Sequence, residues 1–204
     1  MNNQQYPTIE EAEALILWGY NQNPGPWVDH SKVVARTAKV IASKCSLEED
    51  IAFSLGLLHD IGRYEGITDL RHQYAGYKLM EEKGYHDNAK ICLTHSFPNK
   101  DLDAYNGQND CTKEETDFIT AKMEDYQYND YDKLIQFCDS ISLPQGVCLL
   151  EVRLLDVVLR HGKINASIFD KWKAFFEIKK YFDHKCGLNI YELFYDEIVK
   201  NSIK

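Results

Sequence analysis

The chain contains no run of lysine or arginine, no long hydrophobic stretch, no CxxC pair and no segment of regular apolar–polar alternation. Each absence excludes something. With 23 basic against 32 acidic residues the formal net charge is −9. An acidic surface repels polyanions at long range, so neither a nucleic-acid polymer nor an anionic membrane is an expected partner. Spanning a bilayer takes about 20 consecutive apolar residues, and no such stretch occurs. The opening Met-Asn-Asn-Gln-Gln has none of the features of a secretory signal, so the expected location is cytoplasmic. The cysteines stand singly (Cys45, Cys92, Cys111, Cys138, Cys148, Cys186), mostly within apolar helical patterns, and are expected as free thiols. A small phosphorylated substrate, held in a local positive pocket, remains compatible with all of this.

What is present is a series of amphipathic helices with caps. The 204 residues, 44% hydrophobic and 27% charged, suit one all-α domain with a real core. Capping boxes are expected at Thr8-Ile9-Glu10-Glu11, Ser46-Leu47-Glu48-Glu49 and Thr112-Lys113-Glu114-Glu115. The first opens a helix to about Gly19, and the turn Asn23-Pro24-Gly25-Pro26 precedes a helix with Val33, Val34, Ala38 and Ile41 on one face. The second starts a helix ending at His59-Asp60. Further helices are predicted from about Gln73 to Glu82, stopping at Gly84, and from an Asp87 cap through Ile91, Leu93 and His95 to Pro98. Residues 98–112 read as a loop, and 131–141 as a helix ending before Pro144. Three helices close the chain: Val147 to Arg160, Ile168 to His184 and Ile190 to Val199.

The pair His59-Asp60 stands at the end of the apolar run Leu55-Gly56-Leu57-Leu58. Burying an ionised carboxylate beside an imidazole costs several kcal/mol (roughly) unless a cation neutralises it. Gly62 is expected to stop the helix in a left-handed cap, leaving His59 and Asp60 at the lip of a pocket. Arg63 then places a fixed positive charge there, suited to a phosphate or carboxylate. Alone, the dipeptide is better explained by a helix-ending histidine and a solvated aspartate.

The rest of the chain supplies companions. His30 falls at the start of the second helix, His72 at the start of the fourth, and His95 late in the fifth. Asp139 interrupts the apolar run 134–141. Imidazole with carboxylate suits a divalent transition metal (iron, manganese, nickel, cobalt or zinc) and is poor for calcium. His86, His161 and His184 read as surface or helix-end residues. Tyr126-Gln127-Tyr128-Asn129-Asp130-Tyr131 could line a substrate mouth or form an interfacial surface.

The order His…His-Asp…His…His…Asp, with Gly-Leu-Leu-His-Asp-Ile-Gly around the pair, resembles the HD-domain superfamily of metal-dependent phosphohydrolases over roughly residues 28–142. The resemblance implies a helical-bundle catalytic core at about 26–142, with a helical extension at about 146–204 carrying no chemical motif. It implies one metal held by His30, His59, Asp60 and Asp139, and a second held by His72, His95 and a bridging Asp60, hence one or two ions per chain. Asp60 and Arg63 are then the catalytic residues, and Arg63 and Trp27 would meet substrate.

The implied reaction is hydrolysis of a phosphomonoester or phosphodiester, a nucleotide or other small phosphate ester, by a metal-activated water. Two alternatives share the ligands: a di-iron oxygenase resembling myo-inositol oxygenase, and a catalytically silent metal-binding regulatory module. The apolar stripes in 147–199 (Leu149, Leu150, Leu154; Trp172, Phe175, Phe176; Leu193, Phe194) suit core packing or a homodimer face.

Overall fold

Capped helices of 3.6-residue periodicity leave little room for sheet. The computed structural model, which describes residues 5–202, contains ten α-helices and one two-stranded hairpin among those residues. The first four residues of the opening stretch read above for a secretory signal lie outside them. No described helix is long and apolar enough to cross a membrane.

α1 (Ile9–Gln22) opens with the expected box: Glu11 N–H donates to the Thr8 hydroxyl, and Thr8 N–H donates to the Glu11 carboxylate. It runs past Gly19, because the Asn23 amide still reaches the Gly19 carbonyl before Pro24 ends the helix. α2 (Trp27–Ala42) follows, then α3 (Glu49–Leu58). The second expected box is absent. Ser46 adopts a left-handed φ of 59°, and Glu48, two residues later, is the N-cap without a side-chain bond.

A 3-10 turn, Ile61–Glu65, follows His59-Asp60, and α4 (Arg71–Glu82) stops before the left-handed Gly84 as expected. α5 (His86–Thr94) is preceded by Tyr85 rather than capped by Asp87. Asp87 lies inside the first turn, where its charge suits the helix dipole. Residues 98–112 carry only the short 3-10 turn Leu102–Ala104. α6 (Lys113–Asp125) has the third box intact, and α7 (Asp130–Ser140) is capped by Asn129.

The strands β1 (Ser142–Leu143) and β2 (Gly146–Val147) pair antiparallel, so α8 (Leu150–His161) begins after the expected Val147. α9 (Ala166–Cys186) is the longest helix. The expected final helix is split into a 3-10 turn, Ile190–Phe194, and α10 (Tyr195–Ser202). Asp183 and Asn189 accept from the amides of Ile190 and Tyr191 and tighten its start.

Two apolar clusters form the interior. One joins α2, α3 and α7 to the C-terminal helices through Ile41, Leu55, Phe137, Leu154, Phe175 and Phe182. The other gathers Ile16, Leu58, Ile61, Met80, Leu93 and Ile119. So the stripes of α8 and α9 are largely core, although Leu155, Leu159 and Phe169 remain exposed. The cysteines are free thiols.

Candidate metal centre

The run Leu55-Gly56-Leu57-Leu58 draws the end of α3 into the interior. A Cβ on Gly56 would stand 2.9 Å from the Cα of Ala35, so the glycine lets α3 lie directly on α2. The chain therefore delivers His59 and Asp60 already buried, at 1% and 5% exposure. Gly62 plays a different part from the one expected. It sits within the 3-10 turn without a left-handed φ, and a Cβ there would lie 1.9 Å from the carbonyl oxygen of His72 and 2.4 Å from the amide of Gly76. Its role is close approach: it presses the turn after Asp60 against the helix that carries His72.

The six residues picked out in the sequence converge from five elements. His30 lies in the first turn of α2, His72 in that of α4, His95 caps the end of α5, and Asp139 is in the last turn of α7. His30 Nε2 is 3.0 Å from Asp139 Oδ1, and His59 Nε2 is 4.0 Å from the same oxygen. The two oxygens of Asp60 are divided. Oδ2 lies 3.9 Å from His59 Nε2, whereas Oδ1 lies 3.0 Å from His72 Nε2 and 3.7 Å from His95 Nε2. Three overlapping groups have the spacing of a metal site: His30-His59-Asp60, His59-His95-Asp139 and Asp60-His72-His95.

Backbone carbonyls set the imidazole tautomers. Nδ1 of His59 faces the Gly56 carbonyl at 2.8 Å, Nδ1 of His95 faces that of Ile91 at 3.1 Å, and Nδ1 of His72 faces that of Asp69. A carbonyl only accepts, so each Nδ1 carries the proton and each Nε2 turns a lone pair inward. Such a carbonyl contact is the usual outer support of a metal-binding imidazole. The buried Nε2 atoms of His59 and His72, and Nδ1 of His30, have no hydrogen-bond partner.

Burial lowers the basicity of His59 and His72, and takes His95 to about 4, so these rings stay neutral. For Asp60, burial works against ionisation, but Arg63 and the neighbouring imidazoles outweigh it and hold the carboxyl well below its usual range. Asp139 is likewise shifted down, burial being outweighed by His30 and its neighbours. Two ionised carboxylates thus face inward lone pairs, with the Arg63 guanidinium on Asp60. This donor set fits a divalent cation.

A family model for the HD domain matches residues 27–142, more than half of the chain and all six clustered residues. The chain belongs to the HD-domain family. The match agrees with the resemblance read from the motif, and places the protein within the metal-dependent phosphohydrolase superfamily. No solved structure matches the chain significantly.

The HD cluster opens into a cavity of about 760 Å³. Trp27 lines it, with its indole N–H donating to the Asn23 carbonyl at 2.9 Å. Arg63 lines it too, its Nε on Asp60 Oδ2 at 2.8 Å and Nη1 on the Thr68 carbonyl at 3.2 Å. Residues from outside the HD match also line it: Arg153, Arg160, His161, Lys171, Trp172 and Phe175. The extension without a chemical motif therefore lines the cavity.

His161, read as a bland helix-end residue, stands exposed at this rim, whereas His86 pairs with Glu81 at the surface and His184 is exposed. Lys171 was missed by sequence reasoning, although a signal existed. It occupies the apolar stripe of α9, between Ile168 and Phe175. The Tyr126–Tyr131 stretch does not line the cavity. Tyr128 donates to the Phe97 carbonyl, and the Tyr131 hydroxyl accepts from the Glu48 amide, which are packing roles.

Proposed function

We propose that the protein is a metal-dependent phosphohydrolase acting on a nucleotide or other small phosphate ester. The observation that carries this reading is the division of Asp60: each carboxylate oxygen faces a different set of imidazole nitrogens. A carboxylate so placed suits two cations at once.

In this reading His30, His59, Asp60 and Asp139 hold one ion, and Asp60, His72 and His95 hold the other. Such ions supply Lewis acidity toward a phosphoryl oxygen and water acidic enough to attack at neutral pH. The chain's own residues do the rest. The carbonyls of Gly56, Asp69 and Ile91 hold the rings of His59, His72 and His95 in one tautomer, so these three need neither turn nor lose a proton on loading. Arg63 is fixed by Asp60 and Thr68, with its remaining Nη2 available for a phosphoryl oxygen as charge develops. Trp27 and Trp172 wall a cavity large enough for a nucleoside-sized body.

Arg153 and Arg160 in the lining are paired with Asp156, but Lys171 meets only neutral partners, and with Arg63 it favours an anionic substrate over the neutral polyol of an oxygenase. Protein loaded with manganese, iron, cobalt or zinc should release phosphate, or cleave diesters, in a panel of nucleotides and sugar phosphates. Iron- and oxygen-dependent product formation without phosphate release would move the assignment to the oxygenase. Metal binding without turnover on any substrate would favour the regulatory module.

A further inference from the structure

The stripe that packs α9 into the core runs Ile168, Lys171, Phe175, Ile178, Phe182, at alternating spacings of three and four residues, and every member is buried. An ammonium in such a stripe requires an explanation. Lys171 is only 6% exposed. Its Nζ donates to the Ala104 carbonyl and to Asn106 Oδ1, the latter at 2.8 Å. Both partners are neutral, and among the described residues no carboxylate is in contact with the charge. An ammonium has three N–H donors, so one is left over.

Asn106 is in the same position. It is 7% exposed, its Oδ1 is taken by Lys171, and that contact orients its amide so that Nδ2 points away, without an acceptor. Both residues line the cavity that contains Asp60 and Asp139. A buried unpaired charge and a buried unsatisfied amide each cost stability. The two deficits are of one kind, donors without an acceptor, and they occur together.

We infer that Lys171, from the region beyond the HD match, and Asn106, from within it, form an anion subsite that holds a phosphoryl oxygen of the substrate. The inference rests on the phosphate-ester reading of the same cavity and extends it. Arg63, on the HD side, and Lys171, on α9, line the same cavity. Burial draws the Lys171 ammonium down to about 8, with Asp139 acting in the opposite direction. A bound anion opposes that loss of charge.

The test is calorimetric binding of inorganic phosphate to the metal-loaded and the chelator-treated protein, for the native chain, K171M, K171R and N106A. K171M should weaken phosphate binding about 10- to 100-fold, the range for a charged hydrogen bond in a buried site, with metal content and helical circular dichroism unchanged. K171R should retain much of the affinity, and N106A should lose about tenfold or less. If K171M does not fold, N106A carries the test, because it leaves the α9 stripe intact. Phosphate binding unchanged in the folded variants, or absent from the native chain, would overturn the inference. Lys171-dependent phosphate binding without hydrolysis of any ester would keep the subsite and remove the phosphohydrolase. Ester hydrolysis with phosphate binding indifferent to Lys171 would do the reverse.

Discussion

His72 Nε2 and Asp60 Oδ1 stand 3.0 Å apart, and neither brings a proton to the contact. The proton of His72 is committed to Nδ1 by the Asp69 carbonyl, and Arg63 helps to keep Asp60 ionised. Two lone-pair donors at that distance repel unless a cation lies within reach of both. The same relationship, repeated with His59 on the other oxygen, makes Asp60 the hinge of the centre.

Replacing Asp60 tests that position. Asp60→Ala should lower bound metal to near zero per chain and reduce turnover by at least about 10³-fold, a few kcal/mol of lost transition-state stabilisation. The helical circular dichroism should persist. Full activity in this variant would remove the assignment, as would undiminished metal by elemental analysis.

His95 separates one ion from two. His95→Ala withdraws one imidazole from the Asp60-His72-His95 group while leaving His30-His59-Asp60 complete. About one ion per chain should be lost, and the remainder should stay bound in dialysis against dilute chelator. Unchanged metal content would exclude the dinuclear arrangement.

Gly62 carries a prediction about stability. Gly62→Ala places a methyl 1.9 Å from the His72 carbonyl oxygen, which is backbone and cannot rotate away. α4 must then shift, at a cost of about 3 kcal/mol, the upper part of the overpacking range, and His72 moves with it. Gly66→Ala meets no atom within 4 Å and strains only its φ of 127°, so about 1 kcal/mol is expected. Urea unfolding of the two variants side by side checks the contrast, and equal midpoints would refute it.

The buried imidazoles give the metal-free protein a distinctive acid response. Burial holds His95 at about 4, and His59 and His72 below the usual 6.5. Between 6.5 and about 4 the unfolded chain takes up protons that the folded chain refuses, so stability is complete above 6.5 and falls as pH drops through this window. His95 alone contributes about 3 kcal/mol at most. Asp60 and Asp139, shifted downward, lose their contribution only at lower pH still. In chelator, the urea midpoint should decline steadily from pH 7 to 4.5. A flat profile would mean that the rings are not buried neutral.

Much of this was legible in the chain itself. The boxes at Thr8 and Thr112 need only residues three apart, and both form. Ser46 fits the same pattern and fails, because the chain takes a left-handed step there and the helix starts later. All six clustered residues stood out as histidines or aspartates at helix ends or within apolar stretches. Lys171 did not, because a long side chain in an amphipathic helix is ordinarily assigned to its solvent face, and only its place in a three-four stripe marks it as buried.

The sequence by itself determined the all-helical class, most of the helices and the candidate residues of the centre, since periodicity, caps and residue chemistry act over a few positions. The tertiary structure alone decided how Asp60 divides its oxygens, that Gly62 is a point of close approach, and that Lys171 meets Asn106. These depend on contacts such as His30 with Asp139, 109 residues apart, and Lys171 with Ala104, 67 apart. Local patterns do not encode such distances; packing of the two apolar clusters brings those residues together.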